Sequence, residues 1–154
     1  MTQWNRADMM FPKFRRWQQE FQNESLTLWD YVTAKADIEI VGAAATLFWP
    51  TVIDREGCII LQNQIRESAF AQWRDYYQGD IPAIERMMNH VHLVDLFVNS
   101  YDQESLTTLD FIGQIMVRCW RSALHEQFPA LQFEVEYAAN LEDDGPTITF
   151  FQVT

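Results

Sequence analysis

Residues 80–99, DIPAIERMMNHVHLVDLFVN, admit two secondary structures, and the choice between them decides how the chain folds. Asp80 followed by Pro82 is a strong helix start, since an Asp side chain caps free N–H groups and proline suits the first turn. Ile84, Met87, Met88 and Val91 continue at helical spacing. If that helix ran on through Val98, His90 and His92 would lie about 200° apart around its axis and could share no ligand. If it ends near Met88 or Asn89, HVHLVDLFV becomes a strand. His90, His92, Val94, Leu96 and Val98 then share one face. The run of Val, Leu and Phe favours the strand, which is the reading adopted for 89–98.

The neighbouring segments fit that reading. Ser105 to Gln127 is a helix with Leu109, Ile112, Met116, Cys119 and Ala123 in one stripe, widened by Phe111, Ile115 and Trp120. Asp102 or Ser105 caps it and Pro129 stops it. FEVEY, 133–137, alternates apolar and acidic residues as a half-exposed strand does. A strand at 89–98, the long helix and FEVEY together make a β-α-β crossover. The chain ends in a hairpin from FEVEY to Ile148–Val153, and Glu142, Asp143 and Asp144 are read as turn chemistry.

Upstream, Pro12 and the spacing of Phe14, Trp17 and Phe21 predict a helix over 12–22. A second helix, capped by Asn23 or Ser25, runs to Lys35 with Leu26, Trp29 and Val32 on one face. IEIVGAAATLFWPTVID, 38–54, is rich in β-branched, aromatic and small residues. It predicts an antiparallel hairpin of 44–53 with 58–62 about the turn Asp54-Arg55-Glu56-Gly57. Cys58-Ile59-Ile60-Leu61 does not alternate, so that strand is expected to be covered on both faces. Ile65 to Tyr77 is a helix ended by Gly79. The expected fold is α+β, one domain over 1–154. A four- or five-stranded, mainly antiparallel sheet is packed by helices, with two N-terminal helices and a long helix near 105–127.

Composition bounds the function. Hydrophobic residues make up 48% and aromatics 14% of 154 residues, enough for a buried core and too many for a disordered chain. No window has the roughly 18 apolar residues of a membrane helix, so no membrane partner is expected. The N-terminus lacks the apolar run of a secretory signal, and the two cysteines form no metal-binding spacing; both point to a cytoplasmic protein with free thiols. The net charge is −11. Residues 1–35 carry five basic and four acidic side chains, and residues 36–154 carry six and eighteen. A body this acidic repels phosphate, which disfavours general nucleic-acid binding, and no nucleic-acid partner is expected.

Two groups of residues are candidates for binding. His90 and His92, side by side on a strand, form half of a metal or ligand site, which one or two further ligands such as His125, Cys58 or a carboxylate would complete. The plainer reading of the pair is two histidines packed into the structure, and no metal or cofactor is expected. Lys13, Arg16 and Trp17 lie in an aromatic-basic segment, Met9 to Trp17, that suits a docking surface or the wet side of an amphipathic helix. With glycine only at 42, 57, 79, 113 and 145, no phosphate cradle can be built, and no GxSxG or HExxH is present. The sequence therefore points first to a small acidic binding or protein-interaction domain without catalytic activity, whose partner is another protein or a second copy of itself. A ligand- or metal-binding domain or small enzyme using His90 and His92 is the alternative.

Overall fold

The computed structural model describes residues 10–140 and 144–153. Met9 of the aromatic-basic segment and the acidic pair Glu142–Asp143 lie outside the described residues. The elements in chain order are α1 (Pro12–Glu20), α2 (Leu28–Lys35), α3 (Ile38–Phe48), β1 (Val52–Arg55), β2 (Cys58–Leu61), α4 (Glu67–Tyr76) and α5 (Ile81–Met88). They are followed by β3 (Val91–His92), a single helical turn α6 (Leu93–Leu96), α7 (Leu106–Gln127), β4 (Phe133–Ala138) and β5 (Thr147–Gln152). The protein is α+β.

Its strands do not form the one sheet expected of them. β1 and β2 make a two-stranded antiparallel sheet, and β3, β5 and β4, in that spatial order, make a three-stranded one. β5 pairs antiparallel with both neighbours, so β3 and β4 run parallel on either side of it. The crossover from β3 through α7 to β4 is therefore present, with β5 inserted between its two strands. The C-terminal hairpin forms as read, in the register Phe133↔Gln152 to Ala138↔Thr147.

Two segments depart from the sequence reading. The first is 38–48, expected to enter a strand at 44 and found as the helix α3. Asp37 explains its start, because its carboxylate accepts from the backbone N–H groups of Glu39 (2.9 Å) and Ile40 (3.0 Å). The alanines at 43–45 sustain it. Only Val52–Arg55 remains for β1. The second is 89–98. Val91 and His92 pair with Ile148 and Thr147; then Leu93 donates to the Pro146 carbonyl (2.9 Å) and the chain turns into α6. The helix through Val98 is absent too, since α5 ends at Met88. A smaller correction concerns α2. Its cap is Thr27, in a reciprocal capping box with Asp30, rather than Asn23 or Ser25.

β2 separates two cores. Ile59 and Leu61 point into the larger, with Leu93, Met116, Trp120, Val135, Ile148 and Phe150. Cys58 and Ile60 point into the smaller, with Phe70, Ile84 and Met88. All four residues of β2 are buried, as its unbroken apolar run requires. Against the larger core lies α7, which meets β4 so closely at Gly113 that a Cβ there would run into the Tyr137 ring and stand 3.0 Å from Leu93.

Candidate functional site

β3 brings His90 and His92 together. Successive side chains on an extended backbone alternate, so Val91 turns inward to the core while the two imidazoles project from the other side. Their ring centroids are 4.9 Å apart at an interplanar angle of 74°. Burial, and secondly the neighbouring His92, hold the His90 imidazole below the ordinary histidine pKa, so it is neutral near pH 7. Neither ring hydrogen-bonds to a described residue. Among the described residues no group of three or more His, Cys, Asp or Glu is placed to hold a metal ion, so neither His125 nor Cys58 completes the pair. Burial, and secondly Glu85, push the Cys58 thiol up to about 11, which leaves it protonated at neutral pH.

The three N-terminal candidates are spread over one helix junction. Trp17 is buried in a cluster with Phe14, Phe21 and Tyr31, at centroid distances of 5.3–6.3 Å. Lys13 reaches Asp102 (3.5 Å) and Arg16 reaches Glu104 (2.6 Å), both ahead of α7. These contacts tie α1 to the start of the long helix. Lys13 also borders an apolar cleft of about 220 Å³ with Phe11, Tyr31, Phe97 and Tyr101. A second cleft of about 340 Å³ is lined by Leu47, Leu61, Val91, Met116 and Trp120, together with Gln62 and Gln64. Neither histidine lines either cleft.

Comparison with known protein families, curated proteins and solved structures returns no match. The site must therefore be argued from its own geometry, and two features that sequence reasoning missed bear on it.

One is a polar seam. Glu85 and Asn89, four residues apart on one face of α5, are wholly buried. The Glu85 carboxylate accepts from Ile59 N (2.6 Å), Gln152 N (2.6 Å) and the Gln152 amide (2.6 Å). The Asn89 amide accepts from Leu61 N (2.9 Å) and donates to the carbonyls of Ile59 (2.9 Å) and Phe150 (3.2 Å). These groups belong to the facing edges of β2 and β5. The two side chains thus supply the hydrogen bonds that direct strand pairing would have made, and they join two sheets that do not touch as strands.

The other is an apolar surface on α2 and α3. Neither helix has a buried residue. Trp29 is 83% exposed, Ile38 87% and Ile40 69%, and Val32, Val41 and Trp49 are exposed as well. Leu47 and Phe48 dock α3 on the core, and Trp120 Nε1 donates to the Leu47 carbonyl (2.8 Å). At 100° per residue, Ile38, Val41, Gly42, Ala45 and Trp49 fall within about 100° of the α3 circumference, with Val41 beside Phe48, while Ile40 lies on the side of Leu47. The signal was in the sequence as an apolar run longer than one buried helix face needs.

Proposed function

We propose that the protein is a non-catalytic binding domain of the cytoplasm that docks a polypeptide on the outward apolar face of α2 and α3. The observation that carries the reading is the exposure of Trp29 and Val32 on α2 and of Ile38 and Val41 on α3, consecutive helices that have no buried residue. Apolar side chains exposed in this number are unfavourable in water, and covering them favours association. The unpaired thiols of Cys58 and Cys119 fit a reducing compartment. A photo-cross-linking residue at Ile38, irradiated in living cells, tests it. An adduct heavier than the 18.2 kDa chain is expected there. Adduct formation no greater than from the same group at Gln114, on the exposed side of α7, would remove the reading.

The spacing of His90 and His92 favours a second reading, a two-imidazole site for a divalent transition ion. With a metal–nitrogen bond of about 2.0–2.1 Å and a ring radius near 1.1 Å, two imidazoles on one ion place their centroids roughly 4.5–5.2 Å apart for ligand angles of about 90–109°. The observed 4.9 Å lies inside that range. Calorimetric titration with Zn²⁺ or Ni²⁺ is the test. Binding that vanishes in both His90→Asn and His92→Asn is expected, and heat that survives either change rejects the site.

A further inference from the structure

The cleft lined by Leu61 and Trp120 differs from the rest of the surface in its chemistry, and we infer that it binds an uncharged amphiphilic small molecule, one with an apolar body and an amide or hydroxyl head. The site is separate from the α2–α3 face and from the histidine pair. Its volume of about 340 Å³ lies within the roughly 300–1,000 Å³ of small-molecule pockets and equals the liquid share of about eleven waters. The lining divides by burial. Pro50, Leu61, Val91, Met116 and Trp120 are buried and offer apolar surface. Trp120 adds no polar group, because its Nε1 already donates to the Leu47 carbonyl (2.8 Å). Gln62, Asn63 and Gln64, the 3₁₀ turn that follows β2, are exposed or half-buried. Among the described residues none of these three side-chain amides has a hydrogen-bond partner, and each can both donate and accept.

Charge decides the class of ligand. No Asp, Glu, Lys, Arg or His lines this cleft, in a chain of net charge −11. The cleft beside Phe11 has Lys13, and another, of about 320 Å³, has Arg121 and His125. An anion entering between Leu61 and Trp120 would give up water for no cation and would meet the field of an acidic body. A cation would give up water for no carboxylate. A neutral head can exchange its water for the free amides without either cost, while its apolar body covers Val91 and Met116. The walls are also held by bonds that leave those amides free. Gln62 N donates to the Thr51 carbonyl (3.0 Å), and the Trp120 bond fixes Leu47 of α3. A site already shaped loses little order when it is filled.

Magnetic resonance of the full, isotope-labelled chain, titrated separately with octanamide, octanoate and octylammonium, reads both the place and the charge preference. The three probes share an alkyl chain and differ in the charge of the head. Octanamide is expected to shift the Trp120 indole and the Gln62 and Gln64 side-chain amide signals saturably, with half-saturation at about 1 mM or below, and to bind about tenfold or more tightly than either ion. Gln62→Lys changes an exposed side chain, so it should leave the circular dichroism unchanged while raising octanoate affinity about tenfold. Octanoate or octylammonium matching octanamide on wild type overturns the inference. So does the absence of a saturable shift, or shifts confined to Trp29, Ile38 and Val41, which would put the probe on the docking face instead. A folded Gln62→Lys chain that gains no octanoate affinity also overturns it.

Discussion

Glu85 places a carboxylate where three N–H groups converge and no water reaches, and this makes its replacement informative. Glu85→Ala strips acceptors from Ile59 N and Gln152 N in a buried seam, and at about 1–3 kcal/mol for each orphaned donor it should cost about 3 kcal/mol or more in urea unfolding. Glu85→Gln keeps one acceptor oxygen and should cost less. The pH dependence follows from burial, which outweighs the three donors and raises the carboxyl above its ordinary value of 4.5. A carboxyl raised in the folded state binds its proton more tightly there than in the unfolded chain. Its favourable contribution is complete below pH 4.5 and fades as pH rises through the folded value. Wild type should therefore lose stability relative to Glu85→Gln as pH rises above about 4.5. Urea melts of both proteins at several pH values check this, and the opposite slope would mean that the N–H donors dominate.

At the scale of elements, local chemistry announced some features and long-range contacts decided others. Asp80 with Pro82, the stripe of α7 and the alternation of Phe133 to Tyr137 each act within a few residues, and the helix starts, the long helix and the final hairpin could be read from them. α3 misled because Ile38, Ile40, Val41 and Phe48 are residue types that strands favour. Here their abundance reflects a helix with apolar groups on both its inner and outer sides. The cap at Asp37 was the contrary signal, and Asp37→Ala should cost about 1 kcal/mol with a matching loss of helical circular dichroism. The shortness of β3 had no local signal. An extension of β3 backwards would need the edge of β5 at Phe150 and Gln152, which Asn89 and Glu85 of α5 already occupy. His90 and His92 could thus be placed on one face once the run of Val, Leu and Phe had favoured an extended chain, while the division into two sheets could not be read. Where α7 crosses β4, Gly113→Ala would force a methyl against Tyr137, whose hydroxyl is held by Asp110 (2.6 Å). Overpacking of that kind costs about 1–3 kcal/mol, seen as a lower unfolding midpoint with the denaturant slope unchanged.

The whole molecule carries 22 acidic against 11 basic side chains, and six ion pairs among the described residues, all of them substantially exposed. Two electrostatic effects of opposite sign therefore compete when salt is added. Screening weakens the pairs Lys13–Asp102, Arg16–Glu104 and Arg86–Glu136, but exposed pairs contribute little, about 0–1 kcal/mol each. It also relaxes the mutual repulsion of a body whose residues 36–154 hold eighteen acidic groups, and that repulsion acts across the entire compact state. The second effect is the larger, because eleven uncompensated charges outnumber the pairs and lie within a few Debye lengths of one another. Raising NaCl from 50 to 500 mM should increase the unfolding free energy of the monomer by on the order of 1 kcal/mol. The measurement belongs at low protein concentration, so that association does not add to it. Any self-association of wild type through the apolar face should strengthen over the same range, since the same repulsion opposes the approach of two copies. A docking surface that worked by charge attraction would weaken instead. Stability and association rising together with salt are what an acidic domain with an uncharged contact face should show.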